Sequence, residues 1–230
     1  MSETDIRANL AAVRERIAAA ARRAGRREDA VLLVAVSKTV DAEGVRAALA
    51  AGVPALGENR VQEAREKIAV LGRPRPWHLI GHLQTNKVKD ALESFDLIHS
   101  VDRVPLAEAL SRRAAEAGRR MDVLVQVNVG EEPQKGGLRA DELRAALETM
   151  ARLPGLRLRG LMTIPPLPRE PEDSRPYYKE MRKLLEDARR WGHEPDLAEL
   201  SMGMSGDFEV GIEEGATIVR VGTAIFGSRA

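Results

Sequence analysis

The sequence predicts a single parallel (β/α)8 barrel of the TIM type with one extra N-terminal helix. Three observations point there. Short apolar runs alternate with longer helical patterns about eight times along the 230 residues, and eight strand-helix units close a barrel where an open doubly wound sheet uses fewer. The runs VLLVAV (31–36) and VLVQVNV (123–129) are almost continuously apolar, as strands are when helices cover one face and a packed barrel interior the other. No Ser/Gly linker or shift of composition divides the chain, so residues 1–230 are expected to form one domain.

In chain order, Ile6, Leu10, Val13 and Ile17 recur at spacings of four and three, after candidate caps at Ser2 and Thr4 and before Gly25. This predicts an amphipathic helix within 1–25 that packs on the barrel. Arg7, Arg14, Arg16, Arg22 and Arg23 lie on its outer side, the pattern of a solvated face. The strand-helix pairs are then 31–37 with 41–52, 54–59 with 60–72, 77–83 with 84–95 and 97–101 with 104–118. They continue with 122–129 and 140–153, 156–164 and 175–192, 199–204 and 207–215, and end with 217–227 as the eighth unit. The Pro-rich stretch IPPLPREPEDSRP from Ile164 reads as the loop between the sixth strand and its helix.

Composition removes several function classes. Lys plus Arg total 36 against 35 for Asp plus Glu, which leaves no positive excess to hold a nucleic acid or an anionic membrane. Aromatic residues make up 3%, too few for base-stacking platforms. The absence of cysteine excludes disulfides, thiolate metal sites and thiol nucleophiles and agrees with a reducing compartment. Charges interrupt the apolar residues of MSETDIRANLAAVRERI, so neither a secretory segment nor a spanning helix is predicted there. A soluble cytoplasmic protein is expected.

Active sites of such barrels gather at the carboxyl ends of the strands. Lys38 closes the first apolar run; it is either a strand-end lysine turned to solvent or an amine in a partly dry pocket, where desolvation frees the lone pair to attack an aldehyde. LSMGMSGDFEV and IVRVGTAIFG place Ser201, Ser205, Gly206, Gly222 and Thr223 in small-residue turns after strands seven and eight, where barrels often bind phosphate. Each glycine taken singly is equally a turn residue. Together with an inward lysine they describe a site for a phosphorylated carbonyl compound. Arg220 is open to three readings: a phosphate contact, a neighbour of a ring nitrogen, or a surface ion pair. His78 and His82, four apart in one predicted strand, invite a metal reading, but a third ligand is not evident and no metal is expected. Lys135, in GEEPQKGG, reads as a loop lysine.

With these residues in place, the sequence resembles the pyridoxal phosphate homeostasis proteins (the YggS/PROSC family), whose barrel is that of the alanine racemase N-terminal domain. The matching segments run nearly end to end: VAVSK to Lys38, GENRVQE from Gly57, WHLIGHLQTNK from Trp77, LRGLMTIP from Leu158, LSMGMSGDFE from Leu200 and VRVGTAIFG from Val219. The resemblance implies that Lys38 holds pyridoxal 5'-phosphate as a Schiff base, that Asn59 lies close to it, and that Ser201, Gly222 and Thr223 cradle its phosphate. Arg220 would sit by the ring nitrogen or phosphate, Met202 and Ser205 would line the site, and Lys135 would make a secondary contact. Departures are Gly206, where an acidic or small residue is usual, and an end at Ala230 without the short tail of many relatives. The resemblance leads us to expect a monomeric, non-catalytic carrier that supplies the cofactor to apo-enzymes. An amino acid racemase is the alternative, though alanine racemases add a β-rich domain that this sequence does not continue into.

Overall fold

A computed structural model of the chain describes residues 3–193 and 197–227. Eight parallel strands form a closed barrel in chain order, with the last beside the first. They are β1 (Leu32–Val36), β2 (Ala55–Glu58), β3 (Trp77–Leu79), β4 (Leu97–Val101), β5 (Met121–Gln126), β6 (Leu156–Met162), β7 (Glu199–Met204) and β8 (Ile218–Val221). α1 (Glu3–Arg23) precedes the barrel. α2 (Ala42–Ala50), α3 (Val61–Leu71), α4 (Val88–Ser94), α5 (Val104–Glu116), α6 (Leu143–Met150), α7 (Arg175–Ala188) and α8 (Phe208–Glu213) join successive strands, and α9 (Thr223–Phe226) follows β8. The fold is the (β/α)8 barrel with an added N-terminal helix that the alternation predicted.

Successive strand residues point to opposite faces, and this separates two apolar layers. Leu33, Leu56, Leu79, Val123, Leu200 and Val219 pack outward beneath the helices, while Val34, Ala55, Leu97, Leu124, Met162 and Ile218 fill the barrel interior. Toward the carboxyl ends the interior turns polar: His78, His99, Ser201 and Arg220 are all buried. That change of chemistry within one barrel locates the site.

On α1, Ile6, Leu10, Val13 and Ile17 are buried, as their spacing predicted, and the helix lies against α2, α8 and α9. Its arginines are more engaged than a solvated face implies. Arg16 pairs with Glu209 at 2.6 Å and stacks over the Phe208 ring, Arg23 pairs with Glu213 at 2.8 Å, and Arg14 donates to the Gly52 carbonyl. These contacts lace the helix to the barrel, each a modest addition because the partners stay partly exposed. Thr4 lies inside α1 rather than capping it, and Ser2 lies outside the described residues.

β3 is shorter than the predicted 77–83. Its last rung is the Ile80 N–H to the Glu58 carbonyl at 2.9 Å. Gly81 then passes so close to Asn59 that an added Cβ would stand 2.4 Å from the Asn59 carbonyl oxygen, so the chain leaves the sheet there. His78 and His82 therefore do not share a strand face: His78 is buried in the interior, and His82 is exposed beside Asp102 at 3.1 Å.

Candidate functional site

Lys38 follows β1 by two residues, in the turn that leads to α2. It is half-buried and lines a cleft of about 1130 Å³ that runs from Val36, Gly222 and Thr223 at the barrel end out between α1, α2 and α9, where Ile6, Ala47 and Phe226 line it. The structure thus joins the carboxyl ends of β1 and β8, which pair in register at Val34 with Arg220 and Ala35 with Val221.

Ser205 sits in the turn after β7. Its Oγ accepts the N–H of Gly222 at 3.1 Å and, more weakly, that of Ala224 at 3.5 Å, so its own proton remains to be donated. Asp207 holds that turn. Its Oδ1 accepts the Met204 N–H at 2.8 Å, and its Oδ2 accepts the hydroxyls of Ser174 at 2.7 Å and Tyr178 at 2.8 Å. Burial, and next the Asp207 charge, push the Tyr178 phenol above its usual range, which keeps it a donor.

Arg220 lies on the interior face of β8 and is 3% exposed. One terminal nitrogen donates to Ser201 Oγ at 2.5 Å and the other to the Thr163 carbonyl at 2.8 Å. Among the described residues no carboxylate forms an ion pair with it, and Asp207 acts on it only through space. Burial pushes its pKa down to about 10, so it stays a cation at neutral pH.

A guanidinium can only donate, so the Ser201 hydroxyl accepts from Arg220. Ser201 Oγ also lies 2.9 Å from His99 Nδ1, and His99 Nε2 lies 3.0 Å from His78 Nδ1, with the direction of these two hydrogen bonds set by the imidazole tautomers. Burial, then His78 and Arg220, hold His99 well below its usual range, and burial brings His78 to about 4. Both imidazoles are neutral at neutral pH. The result is a continuous relay of hydrogen bonds along the barrel floor, from Arg220 through Ser201 and His99 to His78.

The predicted residues divide accordingly. Lys38, Ser205, Gly222 and Thr223 gather at the mouth, with Arg220 deeper in the barrel beneath them. Asn59 directly follows β2 and is half-buried. Ser201 is placed differently from expectation. Its hydroxyl belongs to the floor relay, and Ser205 rather than Ser201 meets the Gly222 amide. Met202 does not line the interior: strand alternation turns it into the outer core beneath the helices, fully buried. Lys135 is no solvated loop lysine. Its Nζ donates to the Pro165 carbonyl at 2.7 Å and pairs with Glu132, tying the loops after β5 and β6 together. No group of three candidate metal ligands occurs among the described residues. His99 was missed, although its spacing of two from Leu97 marks it as interior. So were Glu63 and Lys67 around the Lys38 turn, whose contacts join separate elements; Glu58 stands at the end of β2, where strand-end polar residues are expected to matter, but its pairing with Lys67 was not foreseen.

Comparison with known proteins meets this geometry. Residues 8–230 match the model of the alanine racemase N-terminal domain. A pyridoxal phosphate homeostasis protein of Aquifex aeolicus is 48% identical over 221 residues, 96% of each chain. The chain belongs to the pyridoxal phosphate homeostasis protein family. The family member of Escherichia coli K12 is 41% identical over 98% of this chain and 97% of its own. Among solved structures, PipY of Synechococcus elongatus with PLP bound has a TM-score of 0.86 at 40% identity, covering 96% of this chain and all of PipY (100%). Alanine racemase of Clostridium difficile has a TM-score of 0.75 at 18% identity, and this chain spans 57% of it, a likeness of fold alone.

Proposed function

We propose that this chain binds pyridoxal 5'-phosphate at the barrel mouth, with Lys38 holding its aldehyde as a Schiff base, and serves as a cofactor carrier in vitamin B6 homeostasis. One observation carries the reading: a half-buried lysine, a hydroxyl-bearing turn and a buried cation with no ion-pair partner among the described residues share one end of one barrel. A phosphorylated aromatic aldehyde presents complementary groups to all three. The name of the relatives and the PLP-bound PipY structure support the same ligand.

In this reading, Lys38 Nζ forms a bond to the aldehyde carbon and the carbonyl oxygen leaves as water. The hydroxyls of Ser205 and Thr223, with Gly222 between them, hold the phosphate, Asn59 flanks the cofactor, and Arg220 supplies hydrogen bonds from the interior. An arginine at a ring nitrogen disfavours its protonation and weakens the ring as an electron sink. That suits a reversible tether more than a catalyst. Ser201 acts through Arg220, and Lys135 acts on the loops rather than on the ligand. The carrier is a monomeric cytoplasmic domain spanning 1–230, and apo-enzymes are its recipients.

Mass spectrometry of protein mixed with the cofactor and reduced by borohydride tests this directly. The expected adduct lies on the peptide containing Lys38; an unmodified Lys38 peptide overturns the site. Sustained turnover of an amino acid, lost in Lys38→Ala, would overturn the carrier in favour of a racemase.

A further inference from the structure

The two peptide groups that flank Lys38 are gripped by two charged residues one turn apart on α3. On one side, the Ser37 carbonyl accepts a hydrogen bond from Lys67 Nζ at 2.6 Å. On the other, the Thr39 N–H donates to Glu63 Oε2 at 3.2 Å. Lys67 is anchored in turn by Glu58, whose Oε1 lies 2.6 Å from Nζ and also accepts the Ser37 hydroxyl at 2.7 Å.

This arrangement is more specific than stability alone requires. Glu58 is fully buried and its Oε2 has no hydrogen-bond partner, while the Lys67 side chain is 10% exposed. A buried ion pair with one oxygen left unsatisfied adds little to folding, and apolar residues of similar volume serve that purpose as well or better. Thr39 has φ of 65°, a left-handed conformation that a β-branched residue avoids unless its surroundings hold it. The turn is therefore set by its contacts with α3, and between the two grips stands Lys38.

We infer that α3 is the positioning element of the Lys38 amine: Lys67, braced by Glu58, and Glu63 clamp the peptides on either side and keep the side chain aimed into the barrel mouth. None of the three is a catalytic residue, because each acts through the backbone of Lys38. The inference rests on the proposed role of Lys38, and its test is chosen to separate the two.

The variants are Glu63→Ala, on a half-exposed residue that tolerates truncation, and the double variant Glu58→Gln/Lys67→Met, which leaves no unpaired buried charge. In ligand-free full-length protein, acetic anhydride labelling compares Lys38 with the exposed Lys87 and Lys89 by mass spectrometry. A loosened Lys38 is labelled at least about threefold faster than in the wild type, the scale of part of one hydrogen bond. A rate equal to or below the wild type overturns the inference.

A second measurement titrates pyridoxal 5'-phosphate and its 4-deoxy analogue, which keeps the ring and phosphate but has no aldehyde. Both variants lose about tenfold in borohydride-trapped adduct at subsaturating cofactor while the affinity for the analogue stays within about twofold. Equal loss for both ligands shows a general structural role and overturns the inference. If wild-type Lys38 forms no adduct, the proposed function fails, and the labelling comparison still decides whether α3 positions the amine. Should the double variant not fold, Glu63→Ala carries both measurements.

Discussion

Acid should weaken this fold through its two buried imidazoles, His99 and His78, and His78 gives the worked case. His78 is buried and neutral, with its pKa brought down to about 4 by burial, whereas an unfolded chain returns it to the ordinary histidine value of 6.5. The unfolded state therefore binds more protons between these values, and stability that is fully present above the unfolded pKa is lost as pH falls toward the folded one. For a shift of that size, moving from about pH 7 to about pH 4.5 removes about 2 kcal/mol, since each pKa unit is worth about 1.4 kcal/mol and the window covers most of the shift. Urea unfolding followed by far-UV circular dichroism at the two pH values measures the loss. His78→Gln supplies the control, because a glutamine amide can accept from or donate to His99 Nε2 and does not titrate. The variant should lose about 2 kcal/mol less than the wild type across the same window, with the carboxylates contributing equally to both. An identical pH dependence in the two proteins would refute the assignment of a neutral buried His78.

Three further outcomes are expected from the geometry. Arg220→Gln and Thr223→Ala should each weaken cofactor binding by about 1 to 3 kcal/mol, the worth of a contact to a charged group, as read by equilibrium titration; unchanged affinity in both would place the phosphate elsewhere. Ser205→Ala should reduce affinity for the cofactor about tenfold while leaving borohydride trapping on Lys38 intact at saturating ligand, since it removes a hydroxyl and spares the amine. Gly160→Ala should cost at least about 3 kcal/mol in urea unfolding, because the added Cβ would stand 1.8 Å from the Glu199 carbonyl oxygen across the β6–β7 ladder at a φ of 156°.

Much of the architecture was legible because it rests on local periodicity. The Ile6, Leu10, Val13 and Ile17 stripe and the eight apolar runs each report one element, and the elements fell within a few residues of their predicted places. β3 ran short because its limit comes from Gly81 meeting the Asn59 backbone, a contact between segments that no window of sequence contains. The same reason governs the site. Lys38, Ser205 and Gly222 stand at strand ends, where a linear reading looks. Met202 was misplaced because membership of the SMGMS segment was given more weight than alternation, which sends it outward from its neighbour Ser201. His99 and the Glu58–Lys67 pair were missed because their partners lie on other elements, so only the closed barrel and its packed helix bring them together.

Arg220 also sets a rule of polarity for whatever enters the barrel. While it stays charged its guanidinium donates hydrogen bonds and accepts none. A visitor reaching Arg220 must therefore bring a lone pair. An unprotonated ring nitrogen or a phosphate oxygen meets that requirement, and a pyridinium N–H or an ammonium does not. On the proposed reading the barrel would thus discriminate between protonation states of one ligand before any side chain at its mouth discriminates between ligands.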